Sequence, residues 1–122
     1  MRVGLITYSV AHLKTQQVLL ALLRRQKYAI RLIVSPFERH QERKVLFAHR
    51  PWQFTGPNAE ELADTFSLPM YGIEDRAAYD GLDRCLLLGA GLIKPEFIRP
   101  NFILNAHAGL IPLVRGLDAF KW

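Results

Sequence analysis

The chain of 122 residues lacks several features that particular classes of protein require. Its one cysteine, Cys85, excludes a disulfide framework and a cysteine-based zinc site, and it favours a reducing compartment. No apolar run reaches the roughly 18 residues that span a bilayer, and the N-terminus has no signal-peptide pattern. The motifs G-x-x-x-x-G-K-[ST], H-E-x-x-H and G-x-S-x-G are all missing. We therefore expect a cytoplasmic protein with no metal site and no nucleoside-triphosphate loop.

Half of the residues are hydrophobic, which is enough for a core, and the length suits one domain spanning residues 1–122. Positive charge is concentrated in residues 24–50, which carry eight Lys or Arg and two Glu, a net charge of +6. The rest of the chain carries a net charge of −1. This stretch predicts either a surface for an anionic partner, such as phosphate, nucleotide or RNA, or a solvated helix face.

Apolar runs and helical periodicities alternate along the chain. Strands are predicted over 3–8, 30–34, 83–88 and 102–105, with a brief extended piece at Met70. Helices are predicted over 14–27, 37–48, 59–66, 74–79 and 95–98, the third of them capped by Asn58. The β-α-β unit at the N-terminus favours parallel strands. We expect an α/β fold with an open, mostly parallel sheet and helices on both faces.

Ligands bind outside the carboxyl ends of the strands in such sheets. Four predicted strands are followed by polar or glycine-containing segments: Tyr8-Ser9, Ser35, Gly89-Ala90-Gly91 and Asn105-Ala106-His107. We expect these segments to converge on one edge of the sheet. Glycines in one of them permit either the close approach of a flat ligand or a tight turn. They do not complete a dinucleotide-binding fingerprint, because Lys94 replaces the third glycine.

Asn105 and His107 are the strongest catalytic candidates. Residues two apart on an extended segment project to the same side, so both side chains are expected to face one pocket. An amide can donate to an oxygen on which charge develops, and an imidazole can act as acid or base near neutral pH. Arg115 adds a cation nearby. Cys85, by contrast, lies in an apolar strand and is interpreted as a core residue.

Residues 105–116, Asn-Ala-His-Ala-Gly-Leu-Ile-Pro-Leu-Val-Arg-Gly, resemble the signature N-x-H-x-S-L-L-P-x-x-(R/K)-G of the folate-dependent formyltransferases. Residues 89–98 are similar to the folate-binding loop and short helix of that family. The resemblance is close over 83–118 and covers 1–82 only by the order of elements. It implies a Rossmann-like domain that transfers a formyl group from 10-formyltetrahydrofolate to an amine. Gly109, where the family usually has Ser, departs from the signature.

The resemblance also implies roles for individual residues. Asn105 would stabilise the oxyanion of a tetrahedral intermediate, and His107 would assist it and transfer protons. The pterin would be held by the loop after the third strand: Gly89, Gly91, Leu92 and Ile93. We expect the acceptor to contact the first turn and the end of the signature: Tyr8, Ser9, His12, Arg115 and Gly116.

The family's third catalytic residue, an Asp some tens of residues after the His, has no counterpart before Trp122. Leu117, Phe120 and Trp122 begin an apolar helix face with nothing after it, which predicts self-association or exposure. We therefore expect an incomplete N-terminal domain of a longer formyltransferase, or a degenerate relative, with little or no turnover.

The sequence leaves the acceptor open. Enzymes that act on initiator tRNA tend to have Ala-Pro after the Arg-Gly pair, whereas this chain has Leu117-Asp118-Ala119. Purine-pathway enzymes tend to have a Ser-Gly-rich turn after the first strand, which is also missing. An amino-sugar or another small amine, free or nucleotide-linked, is favoured over tRNA, and no membrane partner is expected. The alternatives are a formyltetrahydrofolate hydrolase, a non-catalytic folate- or nucleotide-binding relative, and a basic RNA-binding protein.

Overall fold

The computed structural model describes residues 1–37, 52–98 and 102–106. Within these residues the chain forms five strands, three α-helices and one 3₁₀ helix. In chain order they are β1 Arg2–Tyr8, α1 Leu13–Leu23, β2 Ala29–Ser35, α2 Ala59–Phe66, β3 Met70–Gly72, the 3₁₀ helix Arg76–Ala78, β4 Arg84–Leu87, α3 Pro95–Ile98 and β5 Ile103–Asn105. The helix predicted over 37–48 lies, apart from Phe37, outside the described residues.

The five strands form one sheet in the order β3-β2-β1-β4-β5, and every neighbouring pair is parallel. β1 is central and pairs with β2 along its whole length, from Arg2 opposite Ala29 to Tyr8 opposite Ser35. The chain adds β2 and β3 on one side of β1 and then returns to add β4 and β5 on the other. The prediction of an open, mostly parallel α/β sheet is confirmed.

Helices cover both faces of the sheet, as predicted. One cluster joins the sheet to α1 and α2, and its buried members are Val3, Leu5, Leu19, Ile30, Leu32, Leu62 and Ala63. The other joins the sheet to the 3₁₀ helix and α3, and its buried members are Ile6, Ile33, Ala78, Tyr79, Cys85 and Phe97. Successive residues of a strand point to opposite faces, so Leu5 and Ile6 are both fully buried, in different clusters. This double coverage explains why β1 is continuously apolar rather than alternating.

Local signals place α2 where the sequence predicts it. The Glu61 N–H donates to Asn58 Oδ1 at 2.9 Å, and the Asn58 N–H donates to the Glu61 carboxylate at 2.8 Å, which forms a capping box. α1 is shorter than the predicted 14–27, because it ends at Leu23. Gln26 then takes a left-handed conformation, with a φ of 49°, which turns the chain toward β2.

Candidate functional site

The carboxyl ends of β1, β2, β4 and β5 meet at one edge of the sheet, which we call the carboxyl edge. The Ser9 N–H donates to the Ser35 carbonyl at 3.0 Å, and the Gly91 N–H donates to Ser35 Oγ at 3.4 Å. Three of the four predicted segments are thus joined directly by hydrogen bonds. The strand order reverses between β1 and β4, and open α/β sheets bind ligands at such a switch point. The carboxyl edge is therefore the candidate site.

Tyr8 occupies the space between the ends of β1 and β4. Its hydroxyl donates to the Ala90 carbonyl at 3.1 Å. Burial raises the pKa of the Tyr8 phenol, so the group is a neutral donor at physiological pH. A Cβ placed on Gly89 would approach Tyr8 Cδ2 to 2.5 Å. Gly89 thus has a packing reason to be glycine, since a side chain there would displace the Tyr8 ring.

His12, the residue that precedes α1, is buried with an exposed fraction of 5%. Its Nδ1 lies 2.9 Å from Thr15 Oγ1, which in turn lies 2.5 Å from Thr7 Oγ1. Burial, and then the charge of Lys14, lowers the pKa of His12, because both disfavour the imidazolium. His12 is therefore neutral at pH 7. The two threonines are additional to the predicted site residues, and the spacing of three between His12 and Thr15 would have indicated the second.

Two phenylalanines also extend the site beyond the predicted residues. Phe37 packs edge-on against Tyr8 with ring centroids 5.2 Å apart, and Phe54 packs against Phe37 at 5.0 Å. Phe54 also lies 6.1 Å from the ring of His12 and remains 47% exposed. The rings of these four residues form an aromatic wall at the carboxyl edge.

The sequence signals for the two phenylalanines differ. Phe37 comes two residues after the end of β2, so the rule that places strand ends at one edge would have identified it. Phe54 has no such signal, because it precedes α2 by several residues. Its segment is held against α1 by two hydrogen bonds, from the Leu13 N–H to the Gln53 carbonyl at 2.9 Å and from Gln16 Nε2 to the Thr55 carbonyl at 2.6 Å.

The loop after β4 offers a second surface at the same edge. A Cβ placed on Gly91 would have no atom within 4 Å, so a ligand can approach this backbone closely. The adjacent Leu92 is fully exposed, whereas Ile93 is half-buried and packs on the cluster that contains Phe97. An open backbone beside an unpacked apolar side chain suits a flat, partly apolar ligand.

Asn105 is the last residue of β5 and is exposed at the carboxyl edge. It pairs with Leu87 of β4, which pairs with Ile6 of β1. Asn105 therefore lies two strands from β1, or about 10 Å at the usual strand spacing. The other predicted residues of the signature lie outside the described part of the chain: His107, Arg115 and Gly116. The pairing of Asn105 with His107 stays a prediction, as does the apolar C-terminal segment.

The basic residues between 24 and 37 do not line the carboxyl edge. Arg24, Arg25 and Lys27 follow α1, which begins at the carboxyl edge and returns the chain to the opposite edge. Arg31 lies on β2, where its guanidinium donates to two carbonyls of the 3₁₀ helix at 2.9 Å and stacks over the Tyr71 ring at 5.1 Å. The remaining basic residues of the stretch lie outside the described residues: Arg39, Arg43, Lys44 and Arg50.

Cys85 is a core residue, as predicted, with an exposed fraction of 1%. Burial raises the pKa of its thiol to about 11, so it is not a nucleophile at neutral pH. Within residues 1–37, 52–98 and 102–106, no group of three or more His, Cys, Asp or Glu could hold a metal ion. None of the helices in this same part of the chain has the length and apolar character of a membrane span.

Comparison with known proteins found neither a family model nor a curated protein that matches the chain. A functional assignment therefore depends on the geometry of the carboxyl edge and on the resemblance carried by residues 83–118.

Proposed function

We propose that the carboxyl edge is the active site of a folate-dependent formyltransferase of the Rossmann-like type. The reaction would transfer the formyl group of 10-formyltetrahydrofolate to a small primary amine. The observation that carries the proposal is the position of Asn105 at the end of β5, one strand from the open loop at residues 89–93. This placement supports the signature, because an amide donor and a ligand-binding loop must act on the same bound molecule.

The loop at residues 89–93 fits a pterin ring. The backbone at Gly91 is open, and the exposed Leu92 side chain gives an apolar surface beside it. In the proposal, this backbone donates to and accepts from the polar ring edge, while Leu92 and Ile93 contact the ring face. When bound, 10-formyltetrahydrofolate supplies the formyl group in an activated form.

The residues of the chain have separate tasks in this proposal. Asn105 donates a side-chain N–H to the formyl oxygen, on which negative charge grows as the amine attacks. His107, by the resemblance, assists this oxygen and transfers protons. The aromatic wall of Tyr8, His12, Phe37 and Phe54 bounds the acceptor side of the site.

A small amine, such as an amino-sugar, suits this edge better than tRNA. Binding of tRNA depends on cations that neutralise phosphates. The described residues of the basic stretch lie elsewhere: Arg24, Arg25 and Lys27 are at the opposite edge, and Arg31 is used inside the fold. Two lysines outside that stretch lie near the carboxyl edge, and one of them, Lys94, is paired with Glu74 at 2.8 Å. The aromatic wall offers an apolar surface of the kind that packs on a sugar ring.

Folate binding is the direct test. The full chain is titrated with 5-formyltetrahydrofolate, a stable analogue of the donor, by isothermal titration calorimetry. Leu92→Ser should weaken binding, because it removes the apolar surface beside Gly91. Leu20→Ser is the matched control, since Leu20 is also an exposed leucine but lies on α1. Failure of the folded protein to bind the analogue would overturn the proposal.

Transfer is then measured by mass spectrometry after incubation with 10-formyltetrahydrofolate and glucosamine. Loss of an oxyanion donor should make Asn105→Ala about 100- to 1,000-fold slower than the unchanged chain. Gln17→Ala, at an exposed position on α1, should leave the rate unchanged. Folate binding with no formylated product would identify a non-catalytic folate-binding protein.

A further inference from the structure

A chain of buried hydroxyl groups fixes one side of His12. His12 Nδ1 contacts Thr15 Oγ1 at 2.9 Å, Thr15 Oγ1 contacts Thr7 Oγ1 at 2.5 Å, and Thr7 Oγ1 contacts the Tyr8 carbonyl at 3.4 Å. Thr7 and Thr15 are each only 1% exposed, so water does not compete for these contacts. The donor in each of these hydrogen bonds therefore depends on the donor in the next one.

Each threonine hydroxyl has one proton and two lone pairs, so three arrangements place a proton in both of the short contacts. In one of them Thr15 accepts from both Nδ1–H and Thr7, which leaves the buried Thr15 proton without an acceptor. The other two run in opposite directions. If Thr7 donates to the Tyr8 carbonyl, then Thr15 donates to Thr7 and Nδ1–H donates to Thr15. In the opposite direction Thr15 donates to Nδ1 and Thr7 donates to Thr15, so the Tyr8 carbonyl receives nothing from Thr7. The first direction makes one more hydrogen bond. It places the proton of the neutral imidazole on Nδ1 and leaves a lone pair on Nε2.

The Cε1 edge of the imidazole lies at the candidate site. A Cβ placed on Gly89 would be 3.1 Å from His12 Cε1, the carbon between the two ring nitrogens, so this edge of the ring faces the loop after β4. Among the described residues no fully buried side-chain nitrogen lacks a hydrogen-bond partner, so Nε2, which has none, keeps some exposed surface. The rings of Tyr8 and Phe54 lie at centroid distances of 5.5 and 6.1 Å from the imidazole. Among the described residues, the hydrogen bonds of the imidazole involve only Thr15.

We propose that His12 Nε2 binds the amine of the acceptor substrate as a hydrogen-bond acceptor and receives the proton that this nitrogen loses during formylation. The proposal rests on the formyltransferase function proposed above. A primary amine supplies the N–H donors that a lone pair requires. Thr15 and Thr7 are positioning residues, because they hold the imidazole in this tautomer.

The proton that the amine loses in this reaction equals the proton that the donor nitrogen gains. The amine nitrogen forms a bond to the formyl carbon, and the bond between that carbon and the donor nitrogen breaks. The proton lost by the amine passes to His12 Nε2, so His12 takes the proton-transfer task and His107 keeps its contact with the oxyanion. The imidazolium then gives a proton to the donor nitrogen that has been released, so His12 returns to its neutral form without any further reactant.

The tautomer is measured directly by long-range ¹H–¹⁵N correlation spectra of the full chain at pH 7.5, without substrate. The His12 signals are assigned by their loss in His12→Asn. We expect Nδ1 to have the shift of a protonated nitrogen and Nε2 that of an unprotonated one. Thr15→Ser should retain this tautomer, and Thr15→Val should convert it to the Nε2–H form. An Nε2–H tautomer in the unchanged chain would overturn the proposal.

Amine binding is measured by adding glucosamine and, as the matched control, glucose, which has a hydroxyl in place of the amine. Glucosamine alone should shift His12 Nε2 and the backbone amides of Gly89 and Ala90. Loss of one hydrogen bond should make glucosamine binding to His12→Asn up to about tenfold weaker. This variant retains an amide N–H that can donate to Thr15. Equal responses to the two sugars, or unchanged affinity in the variant, would overturn the proposal.

These outcomes separate the two proposals. If the folate analogue does not bind but glucosamine shifts His12 Nε2, the formyltransferase function fails while His12 remains an amine-binding residue. If the folate analogue binds and the imidazole is in the Nε2–H tautomer, the role of His12 fails alone.

Discussion

Gly89→Ala should destabilise the protein, because the Tyr8 ring at the carboxyl edge occupies the space that the new methyl group needs. The backbone of Gly89 has no positive φ, so alanine is compatible with its conformation. The new methyl group, however, would lie 2.5 Å from Tyr8 Cδ2, whereas ordinary contact begins at 3.4 Å, so the ring must retreat by about 0.9 Å. The ring is confined by Phe37 at 5.2 Å and by its hydroxyl bond to the Ala90 carbonyl.

Three contributions determine how Gly89→Ala changes the free energy of unfolding. Overpacking costs about 1–3 kcal/mol, and loss of the Tyr8 hydroxyl bond costs about 1 kcal/mol. Replacing glycine by alanine lowers the conformational entropy of the unfolded chain, which stabilises the folded protein by about 0.4–1 kcal/mol. Gly89→Ala should therefore lose about 1–3.6 kcal/mol of stability. Gly91→Ala is the matched control, because its Cβ would enter open space, and it should be neutral or slightly stabilising.

Urea unfolding followed by circular dichroism measures both variants. The penalty should depend on the tyrosine ring, so Gly89→Ala should cost much less in a Tyr8→Ala background. A coupling free energy of about 1 kcal/mol or more between the two positions is expected. If Gly89→Ala is as stable as Gly91→Ala, or if its penalty is unchanged without the tyrosine ring, the packing explanation is refuted.

Three further predictions concern single residues. Asn58→Ala should lose about 1 kcal/mol of stability in urea unfolding because it removes the capping box of α2, whereas Asn58→Asp should stay close to the unchanged chain. Burial holds the pKa of His12 below its ordinary value of 6.5, so the unfolded chain takes up a proton that the folded chain does not. Stability should therefore be full above pH 6.5 and fall as the pH approaches the lower folded-state pKa, and thermal unfolding should show a smaller loss in His12→Asn; equal losses would contradict this. Because burial raises the pKa of Cys85 from 9.0 to about 11, its thiolate fraction at neutral pH is about 100-fold lower, and a disulfide exchange reagent should label it rapidly only in urea. Equal labelling rates in buffer and urea would contradict the buried position.

Local sequence features identified most of the elements. The apolar runs correspond to β1, β2, β4 and β5, and the residues around Asn58 carry the full signal for α2, since a capping box involves only backbone and side chains within one turn. The predicted α1 extends four residues beyond its observed end at Leu23. After the helix, Gln26 takes a left-handed conformation, and the sequence does not signal this turn because glycine, the residue that usually adopts it, is not there. The helix predicted over 74–79 is reduced to the 3₁₀ helix Arg76–Ala78, which Asp75 caps.

The candidate site was predicted in part. Parallel strands imply a common carboxyl edge, and that rule alone brings Tyr8, Ser35 and Gly89 together. Their contacts were not predictable: the Tyr8 hydroxyl bonds a carbonyl 82 residues away, and the space in front of Gly89 is filled by a side chain of the same protein. The roles of Asn105 and His107 stay predictions that depend on the formyltransferase signature.

The sequence by itself determined the class of fold, because the alternation of apolar runs with helical periodicities and the capping signals are properties of neighbouring residues. Only the tertiary structure decided the strand order and thereby the neighbours of His12. Placing β4 beside β1 brings the loop of Gly89 against the imidazole, and the same fold buries Thr7 and Thr15 behind it. The physical reason is that strand pairing is non-local: its energy depends on which faces are buried together, and a single pairing choice sets every contact at the carboxyl edge.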